Sequence, residues 1–240
     1  TDELWRVSDE TLHRVTLTKS IYVSTCEVTQ SEWQAVMGWN ESSFPGTRKP
    51  VEQVTWYDAV SYCNRRSVGE GFTPVYTITD ASYDGNHMMS ATVTWNQAAK
   101  GYRLLTEAEW EYACRAASKS AFCNGGITIR YCLPLDSNLG QVGWYCGNAS
   151  IATHNVGGKN ANAWGLKDMH GNVWEWCWDL YGAYSEEAED PTGPSFGPLR
   201  VRRGGGWFNY APDCRSASRI NYYPDGRSDN LGLRLCMTVP

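Results

Sequence analysis

The chain has only 5 Phe and 5 Met, and no apolar run of the length a membrane-spanning helix needs. It also lacks an excess of positive charge. The net charge is −5 and the pI is about 5.4, which argues against a general nucleic-acid binder. No two cysteines form a CxxC pair, which argues against a zinc ribbon or a thioredoxin-like site. The four histidines, at positions 13, 87, 154 and 170, lie in separate segments and form no HExxH. There is no Walker loop or GxGxxG. A local absence is the most informative: residues 204–235 contain no Lys, Glu, Gln or Met.

That stretch is filled instead by Tyr, Asn, Ser, Asp, Gly and Arg, with Trp207 and Phe208. This composition is close to that of an antibody paratope, in which Tyr and Trp give contact area at low rotamer cost and Ser, Gly and Asn adapt their hydrogen bonds. It reads as a binding surface more readily than as a catalytic centre. The remainder of the chain is rich in bulky aromatics with polar tips, 12 Trp and 14 Tyr, which need hydrogen-bond partners when buried. Nine cysteines leave at least one unpaired within a monomer. Cys123 and Cys132 are spaced to close a small loop, and buried apolar thiols are the competing reading.

Three helix starts carry a Thr N-cap with an acid three residues on. They are Thr29–Glu32 opening a run to Met37, Thr55–Asp58 opening one to about Arg66, and Thr106–Glu109 opening one to about Ala117. Ile21–Val23 reads as a strand, as do pieces at Val75–Ile78 and Ala91–Trp95. Alternation from Val173 to Trp178 places Trp174, Trp176 and Trp178 on one face of a strand and Val173, Glu175 and Cys177 on the other. Residues 118–165 read as loop, and 181–199 as an acidic Pro/Gly-rich loop. The short basic run Arg200, Arg202 and Arg203 reads as solvated charge flanking a strand, and the glycines after it as a bulge or a close backbone approach. With no repeat and no sharp change of composition, a single domain over 1–240 is the simplest account.

Several words along the chain carry a resemblance. They are Glu27-Val28-Thr29-Gln30, Val54–Val60, Tyr102–Ala113, Gly165–Trp176, Arg203–Trp207 and Asn230–Arg234. In these, and in their order over about residues 15–236, the chain resembles the formylglycine-generating-enzyme (sulfatase-modifying factor) superfamily. The resemblance implies an α+β, C-type-lectin-like fold of the formylglycine-generating-enzyme subclass. Such a fold is irregular with long loops, has its ends brought together, and displays its C-terminal part on one face.

The resemblance divides into two branches. The enzymes of the superfamily oxidise a substrate cysteine with a cysteine pair and copper. On this chain the first of that pair falls at Asn209, and Cys214 lies five residues on. An Asn carboxamide is no thiolate and does not suit Cu(I), so the oxidase is disfavoured; a redox enzyme with a rearranged cysteine site is the alternative. The second branch resembles the target proteins of diversity-generating retroelements, including treponeme-type variable proteins. In those, template Asn codons are mutagenised at adenines and reach Tyr, Asp, Ser, Ile, Phe or Gly but not Lys, Glu, Gln, Met or Trp. Residues 203–235 would be the variable segment. Its ligand-binding positions would be Phe208, Asn209, Tyr210, Asp213, Ser218, Ile220, Asn221, Tyr222, Tyr223, Gly226, Ser228, Asp229 and Asn230. Arg215, Arg219, Arg227 and Arg234 would brace the scaffold beneath them.

No cofactor is required by this reading. By resemblance, a calcium ion is a candidate at Asp168 and Glu175 with the backbone carbonyls of Gly171 and Val173, since oxygen-only ligation suits a hard cation. The competing reading pairs Glu175 with an arginine such as Arg219 or Arg234. The expected partner is a protein or glycan ligand at the variable face, not nucleic acid. The resemblance further implies a bacterial cell-surface protein, exported and lipid-anchored as a precursor, and a chain beginning at Thr1 rather than Met is consistent with a trimmed form.

Overall fold

The computed structural model describes residues 3–239; the Thr1 start lies outside them. The elements run in the order β1 (Arg14–Thr16), β2 (Ile21–Val23), α1 (Gln30–Met37), α2 (Trp56–Gly69), β3 (Tyr76–Asp84), β4 (His87–Trp95) and β5 (Arg103–Leu104). There follow α3 (Glu107–Arg115), α4 (Leu139–Val142), β6 (Trp174–Leu180), β7 (Glu187–Glu189) and β8 (Arg200–Arg203). The chain closes with a 3-10 turn (Ala211–Cys214), β9 (Arg219–Tyr222), β10 (Leu231–Gly232) and β11 (Leu235–Thr238). Few helices and long loops make this the irregular α+β architecture of a C-type-lectin-like fold.

The three longer helices begin where the sequence places them. Thr29, Thr55 and Thr106 each accept from the N–H three residues on, and Glu32, Asp58 and Glu109 each reach back to the cap N–H. Two of these acids also hold distant partners. Asp58 takes the N–H of Met88 at 2.7 Å and the ring of His87 at 2.7 Å, which ties the β3–β4 hairpin to α2. Glu109 takes both ends of the Arg103 guanidinium, at 2.6 and 2.7 Å. The hairpin is longer than the expected pieces, because cross-strand pairing carries it out to the turn at Gly85.

β6 is the central strand of the sheet ordered β10–β6–β8–β9. Its alternation is as expected, but both faces are covered. Trp174 and Trp176 pack with Trp33, Trp56 and Leu233, while Cys177 packs with Leu105, Trp110 and Val201. The strand thus separates two apolar cores. β11 pairs with β2 and with β5, so the beginning and end of the domain meet in one three-stranded sheet.

Other expectations give way to tertiary context. The 181–199 loop contains β7, which pairs in parallel with β1. Arg200, Arg202 and Arg203 are strand β8 itself and are not solvated. Arg200 stacks over Trp56 at 3.6 Å, and Arg202 over Tyr222 at 4.6 Å. Arg203 is fully buried and pairs with Glu111. Burial lowers the Arg200 and Arg202 guanidinium pKa values to about 10. Cys132 bonds to Cys146 rather than to Cys123, and Cys26, Cys63, Cys114, Cys123, Cys177, Cys214 and Cys236 are free. The spacing of Cys123 and Cys132 did not decide the pairing; the loop's path back to residue 146 did. Among the described residues no helix is long and apolar enough to cross a membrane.

Candidate functional site

The C-terminal segment leaves β8 through Gly204 and Gly205, both at positive φ. A Cβ on Gly205 would stand 2.6 Å from the Cys214 sulfur, so the turn admits no side chain there. The chain is then pinned from below. Asn209 Oδ1 accepts from Trp174 Nε1 at 2.9 Å and from the Gly206 N–H at 3.0 Å, and its Nδ2 donates to Asp213 at 3.1 Å. Trp207 donates to the Asp229 carbonyl at 3.2 Å and rests edge-on against Phe44. Beyond β9, the Pro224 and Ser228 carbonyls accept from the Trp56 and Gln53 N–H groups, at 2.9 and 3.0 Å. The loops therefore hang on the start of α2 as well as on the sheet.

Buried arginines form the underside. Arg215 grips Glu10 with two bonds of 2.6 Å, Arg219 grips Glu107 at 2.6 and 2.7 Å, and Arg234 grips Glu175 at 2.8–3.1 Å. Their charge is matched beneath the surface, so none of it reaches the outer face. Arg227 differs: it is partly exposed and stands 3.9 Å from Glu41.

On the outer side Phe208, Tyr210, Ile220 and Tyr223 are exposed, by 49%, 50%, 39% and 62%. Asp213, Asn221, Tyr222, Gly226, Ser228 and Asp229 are half-exposed around them. Tyr222 lies partly down, against Trp176 and beneath the Arg202 guanidinium. A Cβ on Gly226 would come 2.3 Å from that Tyr222 ring, so a side chain there would have to displace it. Ser218 and Asn230 depart from the expected set because both are buried. The Ser218 carbonyl accepts from Arg203, and Asn230 accepts from the Trp174 N–H and the Ser228 hydroxyl. Both serve the sheet. Asn209 is half-buried and spends its amide on the frame.

One neighbour of this face was not legible in the sequence. Tyr131, 56% exposed, meets the Tyr210 ring edge-on at 5.7 Å, with Arg130 stacked on Tyr131. The Cys132–Cys146 bond and the Cys146 N–H to the Asn209 carbonyl, 3.1 Å, hold that loop against the segment. Only the disulfide partner could have pointed to it.

The chemistry available for catalysis is sparse. Cys214 is fully buried, and burial pushes its thiol well above the ordinary range. Cys114, close by, is pushed up to about 12 by burial. With an amide at 209 and a sealed thiol at 214, these residues do not suit a copper-thiolate pair. For calcium, Glu175 is committed: Arg234 takes both its oxygens, and Trp110 Nε1 donates to one at 2.7 Å. That is the arginine pairing, not an open metal ligand. Two buried carboxylate oxygens nearby, Asp168 Oδ1 and Glu27 Oε2, meet no donor among the described residues, and the two carboxyls lie against each other. Burial raises the pKa of both acids, and the charge of Asp168 raises that of Glu27 further. Among the described residues no group of three or more His, Cys, Asp and Glu is placed to hold a metal.

Comparison with known proteins agrees with this fold. The sulfatase-modifying factor enzyme 1-like domain family matches residues 3–239. The chaperone protein LppX of Paenibacillus barcinonensis is 36% identical over 237 residues, covering 89% of this chain and 79% of that protein. The formylglycine-generating enzyme of Mus musculus is 29% identical over 213 residues; the match spans 85% of this chain but only 48% of the mouse protein. The solved structure of Treponema denticola variable protein 1 superposes with a TM-score of 0.83 at 32% identity, over 95% of this chain and 87% of that one.

Proposed function

The chain belongs to the sulfatase-modifying factor enzyme 1-like family, and we propose that it is a ligand-binding member rather than a cysteine oxidase. One observation carries the reading. Within a single segment the scaffold side chains point inward to fixed ion-pair partners, while Phe208, Tyr210, Ile220 and Tyr223 point outward, Phe208 and Tyr210 touching neighbouring rings edge-on. Exposed aromatics on a rigid frame are the anchors by which proteins hold other proteins and glycans. The kinship with a treponemal variable protein and with a chaperone supports a binding role, although formylglycine-generating enzymes match as well.

The finer reading is that residues 203–235 are diversified by a retroelement, and that the protein is displayed at a bacterial surface from a lipid-anchored precursor. The encoding locus tests this. A near-copy of the DNA for residues 203–235, differing only at adenines and lying beside a reverse transcriptase, is expected. Its absence would remove diversification from the proposal and leave an ordinary polar face. Copper uptake with oxygen consumption on a cysteine peptide is expected to be nil, and turnover would restore the oxidase. Calcium is a separate proposal, resting on the free oxygens of Asp168 and Glu27 with the Gly171 and Val173 carbonyls, and no longer on Glu175. EGTA is expected to lower the melting temperature and added calcium to restore it; a melting temperature indifferent to both would dismiss the ion.

A further inference from the structure

A second recess, of about 540 Å³, lies between the N-terminal segment, α3 and the 182–194 loop. None of the exposed aromatics of the C-terminal face lines it. Its volume falls in the range of small-molecule sites. Leu12, Val15, Leu17, Ala108 and Pro194 give it an apolar wall.

The acids around it are almost all spoken for. Glu107 is held by Arg219 and by the Tyr184 hydroxyl, Glu111 by Arg203 and Arg115, and Glu10 by Arg215. Asp179 is the exception. It is 3% exposed and lines the recess. Its Oδ2 accepts the Glu107 N–H at 2.8 Å, and no donor among the described residues reaches Oδ1. Among the described residues no cation forms an ion pair with it, and its neighbours Glu107 and Glu109 are themselves acids. Burial, reinforced by Glu107, holds this carboxyl well above the usual range. A buried acid in such surroundings is costly to ionise unless a positive charge comes to it. Among the described residues none is in contact with it: Arg115 and Arg219 are held in pairs, Arg6 is exposed, His13 stacks on Tyr184, and Arg200, which feels the Asp179 charge, lies stacked on Trp56 and forms no ion pair with it.

We propose that this recess binds a small organic cation, an ammonium group with a short apolar body, its nitrogen on Asp179 Oδ1 and its body against the apolar wall. The ligand brings to Asp179 the contacting counter-charge that no described residue provides. An anion would meet Asp179 beside Glu107, and a neutral molecule would leave the carboxyl protonated and gain no ion pair.

The test is thermal melting and calorimetric titration of the full chain with hexylamine, with 1-hexanol and hexanoate as matched controls. Hexylamine is expected to raise the melting temperature in a concentration-dependent way, and the two controls are not. Asp179→Asn keeps an acceptor for the Glu107 N–H and should weaken hexylamine binding by about tenfold or more. Ala108→Leu fills the recess from a half-buried helix position while leaving the Asp179 carboxyl in the chain, and should also abolish the amine effect. Equal stabilisation by hexanol, or amine affinity unchanged in Asp179→Asn, overturns the proposal. Should Asp179→Asn fail to fold, unchanged amine binding in Ala108→Leu overturns it just as well. The C-terminal face takes no part in any of these readouts.

Discussion

Along residues 203–234 two populations of side chain share one segment. Arg203, Arg215, Arg219 and Arg234 point down and are buried, three of them in bidentate pairs with carboxylates of distant segments. Phe208, Tyr210, Ile220 and Tyr223 point out and touch little. The two populations answer to different physics. A buried guanidinium is tolerated only with its partner in place, so each such arginine constrains the whole fold. An exposed aromatic constrains almost nothing, and its loss costs the frame little. A surface that can be rewritten is thus separated, residue by residue, from a frame that cannot.

The sharpest way to break this contrast is to remove one arginine. Arg234→Ala leaves Glu175 buried and unpaired, and should cost about 3–5 kcal/mol in urea unfolding. Trp174→Ala belongs in the same range, about 3–5 kcal/mol, since it empties the core beneath the face. If either midpoint stays put, the underside is not the frame described. Asn209→Ala tests the boundary between the populations. It strips acceptors from Trp174 Nε1 and the Gly206 N–H, and should cost about 1–3 kcal/mol. A neutral Asn209→Ala would move that residue to the outer population.

Glu52 sharpens the comparison through pH. Burial raises its carboxyl to about 7, and its Oε2 has no partner. A folded-state pKa above the unfolded value means stability is fully present below about 4.5 and is lost as pH rises through about 7. Glu52→Gln keeps an acceptor for the Phe44 N–H and should flatten that decline; a pH profile identical to that of the parent protein would contradict it. The smallest effects belong to the outer face. Tyr210→Ala and Tyr223→Ala should each move stability by no more than about 0.5 kcal/mol. Tyr222→Ala should cost more, because its ring lies against Trp176 and Arg202. A large loss at Tyr210 or Tyr223 would place these rings in the core and end the binding-face reading.

Local chemistry was legible. The capping boxes at Thr29, Thr55 and Thr106 need only residues within one turn, and each helix begins there. The alternation of β6 showed which side chains share a face, because a strand sends neighbours to opposite sides. It did not show that both faces are buried, which depends on the layers around the strand. At the candidate site, the composition of residues 204–235 separated this segment from the rest of the chain, and most of the expected positions are at least partly exposed. Ser218 and Asn230 look like their neighbours in composition but are used by Arg203 and Trp174. Tyr131 joins the face from a different part of the chain.

The α+β plan was legible through the resemblance to a known family, and the sequence by itself determined the helix starts and which stretch has the composition of a binding surface. These follow from short-range hydrogen bonding, side-chain periodicity and composition, all contained in neighbouring residues. Only the tertiary structure decided which charges are matched. Arg215 finds Glu10 across 205 positions, Arg234 finds Glu175 across 59, and Asp179 accepts the Glu107 N–H and forms no ion pair among the described residues. A buried charge is settled by what the fold brings within about 3 Å of it, and that distance is not written in any local run of residues.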